Sequence, residues 1–503
     1  MRFRLEGKAV FSKDVSSAAG ELGSFMEEAN STVLVKGAPA GKGAKVTAHR
    51  ILGDTLFVTI ESDEYVRAHD ALVRLGKVIG QKFGKQLQTG VRKLEVDTYE
   101  IEMELEREPL KPIRVPFVEK LSIEGKKCTV LLTKLDEKAI ADKWVDRILT
   151  LIQEKVLAQH YAGKAEHWEL VWESPRRSPL MKEDPTAAAE KAGWIKRGAS
   201  RGQWIYGPEM TRLFRTFEKL VEKELLSKGD FQEMIFPKLE PFSVWERSGH
   251  AKGIYPEVYY VCPPKSRDPA LWEEVIDHYK ITNEVPLEKI KERIDLPIGG
   301  MTYAQCPAFW PFLQGRTLPN ERVPLKVFDR SGTSHRYESG GLHGMERVDE
   351  FHRIELVWVG RQAEVVKISS EIGECYKRIF EETMELDWRM ARVTPWFMAQ
   401  EGLVGDSEVT DIGTTDYEGN LPYRAGTPEE WLEFQNVSIN GTKYPKGFTV
   451  KLQSGEPLWS GCSGIGLERW SAVFIAQKGM DPSKWPSKMK ELYGEMPRGI
   501  RFL

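Results

Sequence analysis

The chain is poor in cysteine: five in 503 residues, at Cys128, Cys262, Cys306, Cys375 and Cys462. So few and so scattered, they exclude the disulfide framework of a small secreted scaffold. No apolar run approaches the roughly 18 residues of a membrane span. The opening Met-Arg-Phe-Arg-Leu-Glu-Gly-Lys lacks the apolar centre of a signal peptide, so a cytoplasmic location without a membrane partner is expected. Sustained heptads, internal repeats and low-complexity tracts are also missing, which removes coiled-coil arms and solenoids. Nor is there an excess of one charge: 72 Lys and Arg against 75 Asp and Glu leave a net charge of −3. Any nucleic-acid contact must come from local basic patches rather than the overall field.

With 41% hydrophobic and 29% charged residues, the chain has room for two or three domains. Residues 1–165 read as a small α+β domain. A β-hairpin is expected over 45–62 around Gly53-Asp54, and strand-like alternation runs over 115–134. One long helix is expected from Asp136, its N-cap, with Ile140, Trp144, Ile148, Leu151 and Ile152 on one side. Another, over about 64–85, places Arg67, Arg74 and Lys85 near one line, flanked by Lys77 and Lys82. That stripe suits a phosphate backbone, or it is a solvated helix face. Residues 36–45, Lys-Gly-Ala-Pro-Ala-Gly-Lys-Gly-Ala-Lys, fail the Walker spacing. Residues 166–205, rich in Pro, Gly, Ser and Arg, read as a linker. A second domain follows over 206–503, interrupted near 264–297 by a helix-turn-helix-like insertion in which Asp268 caps one helix and Pro286 opens another.

The densest chemistry lies at two places. In His-Arg-Tyr-Glu and Glu-Phe-His-Arg-Ile-Glu-Leu-Val-Trp-Val, strand alternation puts Arg336 with Glu338, and Phe351 with Arg353 and Glu355; Ile354, Leu356 and Trp358 face the other way. Two arginines, two carboxylates and a ring make a floor for a planar anion, and ATP fits that description. A solvated hairpin with cross-strand ion pairs is the competing reading. The second place is Trp-Ser-Gly-Cys-Ser-Gly-Ile-Gly-Leu-Glu-Arg-Trp, an apolar strand running through glycines into a helix that carries Arg469.

Together these segments resemble the class II aminoacyl-tRNA synthetases. Arg336 to Glu338 with Phe351 look like their motif 2, Gly464, Gly466 and Arg469 like motif 3, and the segment from Lys228 to Pro237 like motif 1. The resemblance implies an antiparallel-sheet catalytic core with helices beside the smaller N-terminal α+β domain, and a homodimer formed through motif 1. By spacing alone Cys306 and Cys462 are ordinary buried thiols. With Glu355 between them, the layout resembles the zinc-dependent seryl-tRNA synthetases of methanogenic archaea, whose metal is held by Cys, Glu and Cys.

That resemblance implies a serine–tRNA ligase acting on tRNASer and, as a further candidate, tRNASec, with DNA not a partner. Zinc would be held by Cys306, Glu355 and Cys462, with one place open for the serine amino group. Arg336, Glu338 and Arg469 would be catalytic, and Arg336, Tyr337, Glu338, Arg347, Val348, Phe351, Glu433 and Arg469 would bind ATP, with Glu433 on magnesium. Serine would meet Ala304, Arg336, Arg353, Glu355, Asn436 and Ser438, with Trp396 and Gln400 in a segment over it. The tRNA would meet Arg67, Arg74, Lys77, Lys82 and Lys85. Three rivals remain open. A threonyl-type enzyme uses one cysteine and two histidines, for which His250 and His335 are available. A ligase loading a carrier protein would lack the basic first domain. A non-catalytic tRNA-binding descendant would have lost the charged constellation.

Overall fold

A computed structural model describes residues 1–161, 168–338, 343–393 and 411–500. The chain divides into two compact units, Met1–Lys164 and Ala165–Leu503. Among the described residues no helix is long and apolar enough to cross a membrane.

The first unit is a six-stranded sheet with helices packed on one face. Strict alternation sets the face: in Arg2–Phe11, Phe3, Leu5, Ala9 and Phe11 are buried while Arg2, Arg4 and Glu6 are exposed. The expected hairpin is present as Ala44–Leu52 and Thr55–Asp63. The helix expected over 64–85 runs from Ala68 to Leu87 and buries Leu72, Leu75, Ile79 and Phe83. Asp136 does cap a helix, accepting from the Ala139 N–H at 2.8 Å. That helix, however, ends at Ala141, and a second begins at Trp144. Lys143 adopts φ +57° between them, a left-handed turn that alternation of apolar residues does not announce.

In the second unit, a nine-stranded mixed sheet, largely antiparallel, forms the platform. At its centre, Glu350–Gly360 pairs antiparallel with Trp459–Gly466, and that strand pairs with Trp431–Gly441. The reverse face of this trio carries Ile354, Leu356, Trp358, Phe434, Val437 and Ile465 into a core with the helices Pro208–Val221, Gln362–Arg378 and Leu467–Lys478. Trp470 lies at its centre, edge-on to Phe217 at 5.6 Å and to Phe380 at 5.3 Å. Each fully buried side chain of this size contributes about 1.5–3 kcal/mol. The sum lets the opposite face carry buried charge, which costs several kcal/mol per unpaired ion.

The stretch read as a linker is largely structured. Trp168–Glu173 is the outer strand of the large sheet, paired with Trp388–Val393. Pro185–Lys191 is a helix capped by Asp184, and Ile195–Arg197 pairs with Trp204–Tyr206. Its Pro and Gly content marks turns between short elements rather than disorder. The insertion holds a short 3-10 turn after Asp268, then helices Glu273–Thr282 and Leu287–Arg293.

The first unit has its own core, from Phe3 and Leu5 to Ile152 and Val156. Residues 1–164 expressed alone are therefore expected to unfold in one cooperative transition on heating, followed by circular dichroism; a featureless melt would contradict it.

Candidate active site

The strand pair sets the site. Across Glu350–Gly360 and Trp459–Gly466 the register matches Arg353 with Gly466, Glu355 with Gly464 and Val357 with Cys462. Directly paired residues share a face, so Glu355 and Cys462 are diagonal neighbours with a glycine beside them. A Cβ on Gly464 would lie 1.9 Å from the Arg353 guanidinium; only glycine leaves that group room to lie across the strand. Cys306 opens the short helix Cys306–Phe309 and packs with Val357, Trp310 and Tyr444. The ligand atoms of Cys306, Glu355 and Cys462 lie within 4.8 Å of one another, the one such grouping of His, Cys, Asp or Glu among the described residues.

These groups suit a divalent metal ion. Glu355 is fully buried, and neither carboxylate oxygen has a well-aligned hydrogen-bond donor among the described residues. Arg353 Nε stands 2.6 Å from it in poor alignment. Burial pushes the Glu355 carboxyl up and Arg353 pulls it down, with a net upward displacement. The contact with Cys462, burial and the nearby Glu355 charge hold the Cys306 thiol well above its usual range. A cation among them would offset both costs at once. Around tetrahedral zinc two thiolate sulfurs stand about 3.8 Å apart, so the side chains need little movement. Tyr444 Oη lies 3.5 Å from Cys306 Sγ, and Asn440 Nδ2 donates to Cys462 Sγ at 3.4 Å. The histidines of the rival ligand set are not in the cluster: His250 is stacked on Tyr444 and pushed down to about 3, first by burial and then by Lys443. His335 pairs instead with Glu350 at 3.8 Å.

The phosphate side differs from a simple hairpin. The strand before the turn ends at His335, and Arg336 to Glu338 follow outside it, held by other groups. Arg336 N–H donates to Asp349 C=O, and Glu338 N–H to the Asp349 carboxylate, each at 2.8 Å. The same carboxylate, 1% exposed, accepts from Arg201 and Tyr259, both at 2.6 Å. Gly202 makes this clasp possible, because at φ +62° it approaches so closely that a Cβ would sit 2.6 Å from Asp349. The Arg336 guanidinium makes two hydrogen bonds to Glu257, at 3.0 and 3.1 Å. Burial opposes its charge, but Tyr303 and Glu257 more than compensate and raise it. The Arg201 guanidinium lies 3.9 Å over the Tyr337 ring. Arg347 donates its backbone N–H to His343 C=O at 3.0 Å, and neighbouring Val348 is buried. Ala304 lies two residues before Cys306 and is half-buried.

Arg469, in the first turn of Leu467–Lys478, donates to the Glu433 carboxylate at 2.6 Å and to its C=O at 2.9 Å. Glu433 shares a face with Asn436, whose amide donates to it at 3.1 Å. They are three apart because Phe434 is the extra residue of a β-bulge. Ser438 lies on the same face, its hydroxyl 2.8 Å from Thr414. Asp416 stands opposite Asn436, its carboxyl pushed up to about 9 by burial and by Glu433 and Glu418. Trp396 and Gln400 lie outside the described residues.

Sequence reasoning missed Arg201, Asp349, Glu257 and Asp416. Asp349, two residues before Phe351, immediately precedes the charged motif and was the one with a local signal. In the first unit, Arg67 pairs with Asp146, Arg74 donates to the Val33 and Lys36 carbonyls, and Lys82 lies over Phe25. Three of the five stripe residues therefore serve the domain's own packing, while Lys77 and Lys85 are exposed.

Residues 1–154 match a family model described as a tRNA-binding domain. Over 100% of both chains, the sequence is 57% identical to the type-2 serine–tRNA ligase of Methanothrix thermoacetophila and 56% identical to that of Methanococcoides burtonii. A solved structure of M. kandleri SerRS in complex with A. aeolicus tRNASec superposes with a TM-score of 0.83 at 31% identity, covering 100% of this chain and 99% of that one.

Cys306→Ala and Glu355→Ala are each expected to abolish stoichiometric divalent-metal content, measured by elemental analysis, while ATP binding stays measurable. Full metal occupancy in either variant would refute the ligand assignment. Gly464→Ala is expected to displace Arg353 and lower stability by about 1–3 kcal/mol, read as a fall in the thermal midpoint.

Proposed function

We propose a residue-level chemistry on one premise: the chain belongs to the type-2 serine–tRNA ligases, with two of which it shares over half its residues along its whole length. It is an ATP-dependent ligase that joins serine to tRNA. A serine carboxylate oxygen attacks the α-phosphorus of ATP and pyrophosphate leaves, giving a seryl-adenylate; a hydroxyl of the terminal adenosine of tRNA then takes the seryl group and AMP leaves. The task of the side chains is to hold anionic groups together and stabilise the charge that develops on phosphate.

Arg336 would bridge the serine carboxylate and the α-phosphate, exchanging its present partner Glu257 for them. Phe351 would stack on adenine and Glu338 accept from its exocyclic amine. Val348 and Tyr337 would border the base, and Arg347 and Arg469 take the β- and γ-phosphates. Glu433, now paired with Arg469 and facing a second carboxyl at Asp416, would hold magnesium with the triphosphate.

Cys306, Glu355 and Cys462 would hold zinc, which when bound supplies an anchor for the serine amino group. The observation that carries this reading is their convergence within 4.8 Å around a buried carboxylate without an aligned donor. Fixing the amino group lets Arg353, Asn436, Ser438 and the Ala304 backbone judge a short polar side chain, where a hydrophobic pocket separates neighbours only modestly. Trp396 and Gln400 are proposed to complete that pocket.

The first unit would bind tRNASer through its basic surface, with Lys77 and Lys85 the exposed cations of its long helix and Arg67, Arg74 and Lys82 behind them. tRNASec is a second candidate, since a relative was solved with one. A cytoplasmic homodimer through the motif 1 segment is also proposed. Ile235, 80% exposed beside the short strand Gln232–Glu233, suits burial against a second copy.

Purified protein supplied with zinc is expected to exchange radiolabelled pyrophosphate into ATP with serine and not with threonine or alanine. Exchange driven by threonine, or none with serine, would refute the assignment.

A further inference from the structure

Glu468 is the residue before Arg469, and it faces inward, 1% exposed. Its two oxygens both accept the backbone N–H of His352 at 2.9 Å, and one takes the His352 Nδ1 at 2.8 Å. His352 stands between Phe351 and Arg353 but on the reverse of the sheet, its ring edge-on to Tyr206 at 5.6 Å and tilted against Phe214 at 5.4 Å.

The place of this contact in the ladder explains it. Pairing between the two central strands stops at Arg353 and Gly466, where the chain turns into the Leu467–Lys478 helix. The next N–H along the first strand, that of His352, has no partner on the Trp459–Gly466 side, and a part-buried N–H left alone is costly. Glu468 replaces the departed strand and does so from the turn of helix that presents Arg469. Burial opposes charge on the imidazole, yet Glu468 outweighs it and His352 is raised; Glu350 acts in the same direction and Arg215 against it. The Tyr206 phenol, held well above its usual range by burial and by Glu468, completes the surroundings as a neutral group.

We propose that His352 and Glu468 are positioning residues for ATP: their contact fixes the strand end that presents Phe351 against the helical turn that presents Arg469. The base and the far phosphates are then gripped at one spacing. This rests on the ATP-binding reading above, which serine-dependent exchange by the parent protein tests separately. Neither residue touches the nucleotide, so loss of the contact should loosen ATP and leave serine alone.

The test is exchange kinetics of His352→Leu, His352→Asn and Glu468→Gln, varying ATP and serine independently, with zinc content and thermal midpoint recorded. Asparagine offers an N–H close to the position of Nδ1 and leucine offers none. His352→Leu is expected to raise KM for ATP about tenfold, the scale of one lost charge-assisted hydrogen bond. Its KM for serine should stay within about twofold, and His352→Asn should recover most of the ATP effect. If the leucine variant does not fold, Glu468→Gln carries the test and should show the same ATP-selective rise. An unchanged KM for ATP, parallel rises for ATP and serine, or an asparagine variant no better than leucine would overturn the proposal.

Discussion

The antiparallel pairing of Glu350–Gly360 with Trp459–Gly466 is the constraint on which the site depends. Because side chains alternate, one register decides two things at once. It sends Ile354, Leu356, Trp358 and Ile465 into the helical core, and it brings Glu355, Cys462 and the space over Gly464 together on the other face. A slip of one residue would exchange the faces, burying Arg353 among aromatic rings and exposing tryptophan. The apolar side thus enforces the geometry of the polar side, and the energy that tolerates a donor-poor carboxylate comes from the opposite surface of the same strand.

Much of this was legible in the sequence, because it rests on local alternation and on motifs whose residues are neighbours in the chain. The two-faced strand 350–360, the glycine-bearing strand before Arg469 and the hairpin in the first unit follow from period two and from turn residues. Cys306 was reached only by family resemblance, since nothing in its own surroundings distinguishes a ligand from a buried thiol. What escaped were pairings across long loops. Arg201 and Asp349 meet over 148 residues of chain, and Glu257 meets Arg336 over 79; no local pattern encodes either. Glu433 and Asn436 share a face through a bulge that strict alternation denies.

The same logic explains the basic stripe. Helical periodicity put Arg67, Arg74 and Lys85 near one line with Lys77 and Lys82 beside it, but periodicity does not say whether a long cationic side chain reaches water or a neighbour. Asp146 and the carbonyls of Val33 and Lys36 took two of them. Guanidinium groups are well suited to such internal clasps, since their forked donors satisfy several acceptors at once. Arg201 is used in this way beside the catalytic sheet, bonding both Asp349 and the Glu338 carbonyl.

The outer strand Trp168–Glu173 bears on where the second unit begins. A fragment started at residue 206, where sequence composition suggests the catalytic domain opens, would strip Trp388–Val393 of its neighbour. The bared row of amide and carbonyl groups would be a template for other chains. Such a truncation would keep every motif residue from Arg336 to Arg469 and still tend to precipitate through its own margin.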